Sequence, residues 1–284
     1  MRSVELRRAT EGDLAAQEEI FRAAIGEVYE QRNLVAPTPP SEAFRAQHRH
    51  LLRHDGERCW VAEDDGRLIG YSSALARGEA WHLSSLFIAP DRQGSGIGKR
   101  LLDCAWGQGY RNRRTLTDAI QPVSNRLYAS RGLIPVAPNL HLGGEARADD
   151  PGLEPAEPEP SVLAGLDQAE YGFDRAVDHA YWQAVGRCTV WLRGGDVCAY
   201  SYTYPWDTIG PVAGVDGLAA ADAFRAEVAR SVGSATIVVP GTSRELVEAA
   251  LEAGLRFTRP PGLLLLGPGV EPPRALAISG YSLF

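Results

Sequence analysis

The 284-residue sequence predicts an α+β fold in which sheets are flanked by helices in α/β/α layers. An apolar run at 83–89, closed by Pro90, leads through a glycine-rich turn into a helical pattern. The Asp65-Gly66 pair joins two strand patterns as a hairpin turn, which favours antiparallel pairing. Near the end of the chain a strand, a polar turn and a helix lead to Gly254-Leu255, as an earlier set leads to Gly132-Leu133. The repetition indicates two similar folded units.

The elements of the first half are predicted in the order β, α, α, β, β, β, α, β, α. Residues 4–8 form a short strand, and Thr10 with Asp13 gives a helix-start signature. Prolines at 37, 39 and 40 break the chain before Ser41, which we expect to cap a second helix. The remaining predicted elements are strands at 59–62, 67–76 and 81–89, a helix opening at Lys99, a strand at Leu116 and a helix through Tyr128 that ends at Gly132.

A segment rich in proline and acidic residues separates the two halves. Residues 143–160 are poor in apolar side chains and are predicted to be a semi-rigid linker between domains at 1–142 and 161–284. In the second half we expect a helix near Tyr181, strands at 188–192, 197–204 and 235–239, and a helix at 243–253.

The turn from Gln93 to Gly98 carries the chemistry of the first half. Three glycines in five positions let the main chain approach a ligand and leave several amide groups free to point one way. The helix that follows adds unpaired donors and the positive end of its dipole, so the turn suits phosphate oxygens. Lys99 stands where a dinucleotide fingerprint needs glycine or alanine, and Arg100 stands where a nucleotide P-loop needs a hydroxyl. Both of those phosphate loops are therefore excluded.

Residues 88–102, IAPDRQGSGIGKRLL, resemble the acyl-CoA binding motif of the GNAT N-acetyltransferases, Gln/Arg-x-x-Gly-x-Gly/Ala, with Gln93, Gly96 and Gly98 in its three fixed places. Residues 124–133, SNRLYASRGL, resemble the second motif of that family, a short helix that carries a tyrosine and ends at glycine. The resemblance implies two tandem GNAT-like domains, each a mixed, mostly antiparallel sheet flanked by helices. It covers residues 1 to about 140 well and the rest loosely.

The resemblance implies direct attack of a small primary amine on acetyl-CoA, used as a co-substrate, in a ternary complex. Tyr128 stands where the family places the acid that protonates the leaving thiolate. Several relatives carry glutamate as the base where this chain has Ser84, which does not accept a proton at neutral pH. His82 is the preferred alternative base, expected on the same strand face as Ser84, with Glu79 and Asp118 in reserve.

The remaining expectations concern the coenzyme. The main chain at 86–88 should pair with the pantetheine arm, and the amides of 94–98 should hold the pyrophosphate. Either Gln121 or Asn125 could reach coenzyme A, because the asparagine of the family aligns with Gln121 and Asn125 lies four residues later. The complete set of predicted coenzyme contacts is Leu86, Phe87, Ile88, Gln93, Gly94, Ser95, Gly96, Ile97, Gly98, Lys99, Arg100, Gln121, Asn125 and Tyr128.

The second half lacks the residues that carry the predicted chemistry in the first half. Residues 213–219, AGVDGLA, lack the Gln/Arg-x-x-Gly-x-Gly turn, and Ala250 aligns with Tyr128. We therefore expect a degenerate GNAT-like domain that does not catalyse acyl transfer. A degenerate ligand pocket in this domain is the alternative that the sequence leaves open.

Composition favours a cytoplasmic protein that acts on a small molecule. The net charge of −7 argues against nucleic acid as a partner and mildly favours a cationic substrate. The N-terminus lacks an apolar signal segment, and the chain has no apolar stretch that would suit a membrane. The four cysteines show no metal-binding spacing, and His48, His50 and His54 do not share one helix face, so no metal is expected. The sequence leaves monomer and homodimer open.

Two alternatives from other classes remain. The chain could be a non-catalytic acyl-CoA or metabolite sensor on a GNAT scaffold, which the missing acidic base favours and Tyr128 disfavours. It could transfer an aminoacyl group from tRNA, which the acidic charge disfavours.

Overall fold

The computed structural model describes residues 4–231 and 233–284. The chain forms two compact units, the first ending at Arg111 and the second beginning at Asn112. Over these described residues, no helix has both the length and the apolar character that crossing a bilayer requires.

The first unit is an antiparallel sheet with helices on both faces. Its strands lie in the order β1-β2-β3-β4. Its elements are β1 (Glu5–Arg8), α1 (Leu14–Glu30), α2 (Ser41–Asp55), β2 (Trp60–Asp64), β3 (Arg67–Arg77), β4 (Ala80–Ile88) and α3 (Ile97–Ala105). One face packs on α1 and α2 through Phe44, Val61 and Tyr71. The other packs on α3 through Ala62 and Ile97, as strand alternation requires for neighbours such as Val61 and Ala62.

Local sequence explains the hairpin of this unit and corrects one helix start. Asp65 and Gly66 connect β2 to β3 with φ values of 54° and 80°, the left-handed pair that a two-residue hairpin turn needs. The expectation that Ser41 caps α2 is wrong, because Pro40 is the N-cap and Ser41 is the first helical residue. The Ser41 hydroxyl instead donates to Glu18 Oε1 at 2.5 Å.

The second unit contains two sheets. Its elements are β5 (Asn112–Asp118), α4 (Pro122–Ala129), β6 (Ile134–Ala146), β7 (Glu154–Ala156), α5 (Pro160–Glu170), α6 (Ala176–Val185), β8 (Arg187–Arg193), β9 (Asp196–Thr203), β10 (Ile209–Gly214), α7 (Gly217–Arg230), β11 (Gly233–Pro240), α8 (Arg244–Glu252), β12 (Arg256–Phe257), β13 (Gly262–Leu266) and β14 (Leu276–Ala277). One sheet has the order β5-β13-β6-β11, with β12 also paired to β6. The other is antiparallel, in the order β14-β10-β9-β8-β7.

Strand β13 comes late in the chain but lies between two early strands. It pairs antiparallel with β5 on one side and with β6 on the other. Leu264, Leu265 and Leu266 are 0%, 0% and 1% exposed, so this strand is part of the core. The apolar run 263–266 is therefore the central strand of a three-stranded array whose neighbours are more than a hundred residues away in sequence.

This pairing explains why the compact units do not follow the predicted linker. The segment 143–160 begins inside β6 and contains β7, so part of it is strand. The division at Arg111 lies upstream of the predicted linker, because β13 joins β5 and β6 to later parts of the chain. The limits of each GNAT-like repeat, 1–142 and 161–284, stay a prediction.

Candidate functional site

The glycine turn of the first unit has two residues in the left-handed backbone region. Gly94 and Gly96 have φ values of 77° and 83°, and Gly96 is the N-cap of α3. Space does not require either glycine, because an added Cβ would meet no atom within 4 Å at either position. Their backbone conformation is therefore what selects for glycine. Residues 91–96 are exposed, so a ligand can reach the turn.

The turn also presents a run of unused donors. Within the described residues, the backbone amides of 94–99 donate no hydrogen bond, and the first helical bond runs from Arg100 N to the Gly96 carbonyl at 3.2 Å. These amides and the N-terminal dipole of α3 form a concave positive site for an anion. The Gln93 side chain donates to the Ile88 carbonyl at 3.3 Å, which ties the turn to the end of β4. Arg100 donates to the Val4 carbonyl at 3.0 Å, and Lys99 is exposed beside it.

Strand β4, which leads into the turn, is interrupted by a β-bulge. Ser85 pairs with Ser73, but Leu83 pairs with Ala74, so Ser84 is an extra residue without an opposite partner. Its hydroxyl is buried and has no hydrogen-bond partner among the described residues. The bulge thus presents an unsatisfied hydroxyl and local backbone groups outside the regular ladder. After the bulge, Leu86, Phe87 and Ile88 pair with residues 70–72 of β3, on one side of β4.

The bulge changes which side chains share a face of the strand. His82 lies opposite Leu75, which alternation places on the same face as Ser73 and its partner Ser85. The expectation that His82 and Ser84 share a face stays a prediction, because the bulge interrupts the regular alternation on which their two-residue spacing relied. His82 is 2% exposed, so a role as base requires that substrate reach a buried ring.

The sequence did not point to the residue that lies beside Ser85. His48 on α2 approaches Ser85 Oγ with its Nε2 at 3.5 Å, while its Nδ1 is 2.9 Å from the Phe44 carbonyl. Burial lowers the pKa of His48 to about 4, so the ring is neutral at physiological pH. A ring with so low a pKa is a poor acceptor for a proton from an alkylammonium ion. No pattern of spacing in the sequence connects α2 with the bulge.

The other predicted residues lie on or beside α4 in the second unit. Gln121 is the N-cap of α4 and accepts from Asn125 N through its carbonyl at 3.0 Å. Asn125 Nδ2 donates to the Ala119 carbonyl at 3.5 Å, and its Oδ1 is buried with no partner among the described residues. Tyr128 is 5% exposed, and burial raises its pKa, so the phenol stays protonated at neutral pH.

The strand–turn–helix of the second half, β10 to α7, has carboxylates beside the start of its helix. The Asp216 carboxylate caps α7 by accepting from Ala219 N at 2.8 Å. The Glu245 carboxylate lies so close to Gly217 that an added Cβ would overlap it. The adjoining cavity of about 510 Å³ is lined by Glu170, Asp216, Gly217, Thr242, Arg244, Glu245, Arg274 and Ala275. Carboxylates thus replace the free amides of the first turn.

The chain itself fills the space between β10 and β11. Ala277 pairs with Val212 of β10, and Gly214 N donates to the Ala275 carbonyl at 3.0 Å. From the same segment, Ile278 N donates to the Val238 carbonyl of β11 at 3.0 Å. Residues 275–278 therefore satisfy main-chain groups of both strands.

Comparison with protein-family models finds one match, over the segment that contains the glycine turn. The model described as an acetyltransferase (GNAT) domain matches residues 55–132, which contain β4, the turn and Tyr128. Residues 55–132 are therefore similar to a GNAT acetyltransferase domain. A search of curated proteins finds no significant match.

Solved structures extend the GNAT fold to the whole chain. A putative acetyltransferase from Pyrococcus horikoshii is 15% identical with a TM-score of 0.79, covering 100% of this chain and 97% of that one. A GCN5-related N-acetyltransferase from Sphaerobacter thermophilus is 17% identical with a TM-score of 0.63, covering 94% and 97%. A tandem GNAT protein from the clavulanic acid biosynthesis pathway is 12% identical with a TM-score of 0.58, covering 93% and 98%. At these identities the likeness is one of fold, and it confirms the tandem GNAT architecture predicted from the sequence.

Proposed function

We propose that this GNAT protein transfers an acetyl group from acetyl-CoA to a primary amine of a small molecule, by direct attack in a ternary complex. The observation that carries the proposal is the run of unpaired amides at 94–99, held by two glycines in the left-handed region inside the matched domain. A diphosphate supplies the acceptors that these donors lack.

The chemistry divides into three proton and charge events. The neutral amine attacks the thioester carbonyl, a C–N bond forms, and negative charge develops on the carbonyl oxygen. The tetrahedral intermediate then expels the CoA thiolate as the C–S bond breaks. The amine loses one proton, and the thiolate gains one.

Individual residues fit these events. We assign the unpartnered Ser84 hydroxyl as a donor to the oxyanion, because it is buried and its hydrogen-bonding capacity is unused. We assign His82 as the group that accepts the amine proton, directly or through water. Tyr128, whose raised pKa keeps its proton in place, is assigned as donor to the departing thiolate. In this assignment Gln121 and Asn125 contact the coenzyme.

Calorimetric titration with coenzyme A tests the turn. Gly96→Glu places a carboxylate where the phosphates should lie, and we expect at least a tenfold loss of affinity. Gly66→Glu is the matched control, because Gly66 has a φ of 80° and open space around it but lies in the β2–β3 hairpin. Wild-type affinity in Gly66→Glu and weak binding in Gly96→Glu support the assignment. Equal affinity in both variants refutes it.

A second candidate function is a non-catalytic acyl-CoA sensor. The observation that favours it is Ser84, a residue that cannot act as a base, together with the burial of His82. Release of CoA thiol that depends on added amine would exclude the sensor. In that assay we expect Tyr128→Phe to lower kcat about 10- to 1000-fold, with CoA affinity unchanged.

A further inference from the structure

The cavity of about 510 Å³ in the second unit lies where helices α7 and α8 begin. Asp216 and Gly217 line it from the start of α7, and Thr242, Arg244 and Glu245 line it from the start of α8. All of its lining residues belong to the second unit, so the cavity can be considered within that unit alone.

Hydrogen bonds within the chain hold the walls of this cavity in place. Glu170, the last residue of α5, accepts from the backbone amides of Arg274 and Ala275 at 3.2 and 2.9 Å. The Ser243 hydroxyl, just before α8, accepts from the backbone amide of Leu276 at 3.3 Å. This segment is therefore fastened to both α5 and α8, and the chain itself fixes the shape of the cavity.

Two lining side chains of opposite charge are left unpaired. Over the described ranges 4–231 and 233–284, neither the Glu245 carboxylate nor the Arg274 guanidinium makes a hydrogen bond or an ion pair. The other charged groups are occupied, since Arg244 donates to Glu248 Oε1 at 2.8 Å and Asp216 caps α7. Because the two unpaired groups share one cavity, both are available to a ligand that carries both signs of charge.

The position of the Glu245 carboxylate depends on a glycine. An added Cβ at Gly217 would overlap this half-buried carboxylate, so glycine leaves room for it at the first position of α7, where alanine would stabilise the helix better. Glu245 also suits the start of α8 electrostatically, but that effect does not require a glycine on a neighbouring helix. The Thr242 hydroxyl is buried and likewise has no hydrogen-bond partner in the described part of the chain. A ligand accounts for these unused groups better than folding does.

The charges of the lining separate the possible classes of ligand. Its three carboxylates outnumber its two guanidinium groups, which disfavours a diphosphate. Among the described residues, no group of three or more acidic, histidine or cysteine side chains is placed to hold a metal ion. A molecule with an ammonium group and a carboxylate can pair with Glu245 and Arg274 at the same time. The one excess negative charge favours a second cationic group on the same molecule.

We propose that this cavity binds a basic amino acid. Arg274 binds the α-carboxylate, Glu245 binds the α-ammonium group, and the excess negative charge of the lining attracts the cationic side chain of the ligand. Binding at this site requires neither coenzyme A nor acetyl transfer, so the second half has a ligand of its own.

Calorimetric titration of the full chain with L-lysine, in the absence of coenzyme A, tests the site. We expect a Kd of about 1 mM or less for the wild type. Cadaverine is lysine without the carboxylate, and 6-aminohexanoate is lysine without the α-ammonium group; each should bind at least about tenfold more weakly. Arg274→Gln should bind lysine no better than cadaverine, and Glu245→Gln should bind lysine no better than 6-aminohexanoate. Absence of lysine binding in the wild type, or unchanged lysine affinity in both variants, overturns the proposal.

Two controls separate binding from folding. Glu252→Gln removes a carboxylate that lies farther along α8 and accepts from Arg225 at 2.9 Å, so lysine affinity should stay at the wild-type value. Without ligand, the thermal midpoints of Arg274→Gln and Glu245→Gln should stay within about 2 °C of the wild type, because neither side chain makes a hydrogen bond in the described chain. A larger fall in both variants would show that the two side chains are structural and would overturn the proposal.

A pair of glycine variants tests the same site without removing a charge. Gly217→Ala should weaken lysine binding at least about tenfold, because the new Cβ displaces the Glu245 carboxylate. Gly165→Ala is the matched control, because Gly165 lies inside α5 and an added Cβ there meets no atom within 4 Å. Equal lysine affinity in the two variants overturns the proposal. A second equivalent of coenzyme A that binds the wild type and is lost in Arg274→Gln would reveal a phosphate site and would also overturn it.

Discussion

The position of β13 between β5 and β6 predicts an unusually costly substitution at Leu264. This side chain is 0% exposed and lies at the middle of the strand, paired with Leu116 on one side and Ala137 on the other. Leu264→Ala removes buried methyl groups and leaves a cavity, which costs about 2–5 kcal/mol in tightly packed sites. Because strands on both sides limit collapse around the cavity, we expect a loss of about 3–5 kcal/mol. A domain has only about 5–15 kcal/mol in total.

Urea unfolding followed by circular dichroism measures this loss. With a slope near 2 kcal/mol/M, the midpoint should fall by about 1.5–2.5 M. Hydrogen exchange should accelerate together in β5 and β6, since both strands share β13 as a neighbour. Leu218→Ala is the control, because Leu218 is 61% exposed and its loss should change stability by less than about 0.5 kcal/mol. A loss below about 1 kcal/mol for Leu264→Ala, with unchanged exchange in β5 and β6, would refute the central role of β13.

Three further predictions concern buried polar groups. His48 is held neutral, because its pKa is about 4 in the folded protein against about 6.5 in the unfolded chain. Stability should therefore fall as pH drops from 6.5 towards 4, by roughly 2 kcal/mol at pH 5. In urea unfolding, the difference in stability between pH 7 and pH 5 should be smaller for His48→Gln than for the wild type. Asp55→Ala should cost about 3–5 kcal/mol in urea unfolding, because it leaves the buried Arg77 guanidinium, now 2.9 Å from Asp55 Oδ2, without this carboxylate; a loss under 1 kcal/mol would contradict this. Glu227→Gln should lower the thermal midpoint, since the fully buried carboxylate accepts from Arg187 at 2.7 Å; a variant midpoint equal to or above that of the wild type would contradict this.

Local elements of this fold were readable from the sequence because their signals are local. The Asp65-Gly66 turn needs two positive φ values, and those residue types supply them at low cost. The turn before α3 was found for the same reason, although the helix begins at Ile97, two residues earlier than predicted. Gly132 marks the end of α4 in the same way, with a φ of 80°.

The features that could not be predicted from the sequence depend on pairing between distant segments. Residues 263–266 read as four leucines between glycines, and only the pairing of β13 with β5 and β6 reveals a central strand. The acidic, proline-rich composition of 143–160 conceals β7, since a strand of three residues pairs through its backbone rather than through a pattern of side chains. Likewise the bulge at Ser84 is a matter of register with β3, and so the faces of His82 and Ser85 could not be assigned from spacing alone.

The conformation of the glycine turn was predictable, whereas the unsatisfied amide of Asn139 was not. Glycines at 94 and 96 directly indicate backbone with positive φ values. Asn139 gives no such signal, because its lack of hydrogen-bond partners among the described residues reflects Pro240 and Gly262 opposite it, which have no polar side-chain group.

The late strand β13 also bears on how such a chain can change over generations. If the two halves arose by gene duplication, the later copy became indispensable once residues 262–266 completed an array begun before residue 147. Deleting that copy would then remove the strand that pairs with both β5 and β6, so natural selection would preserve its scaffold whatever became of its own chemistry. Mutations such as an aspartate at 216 could accumulate there freely, and a second catalytic centre could fade while the fold around it endured.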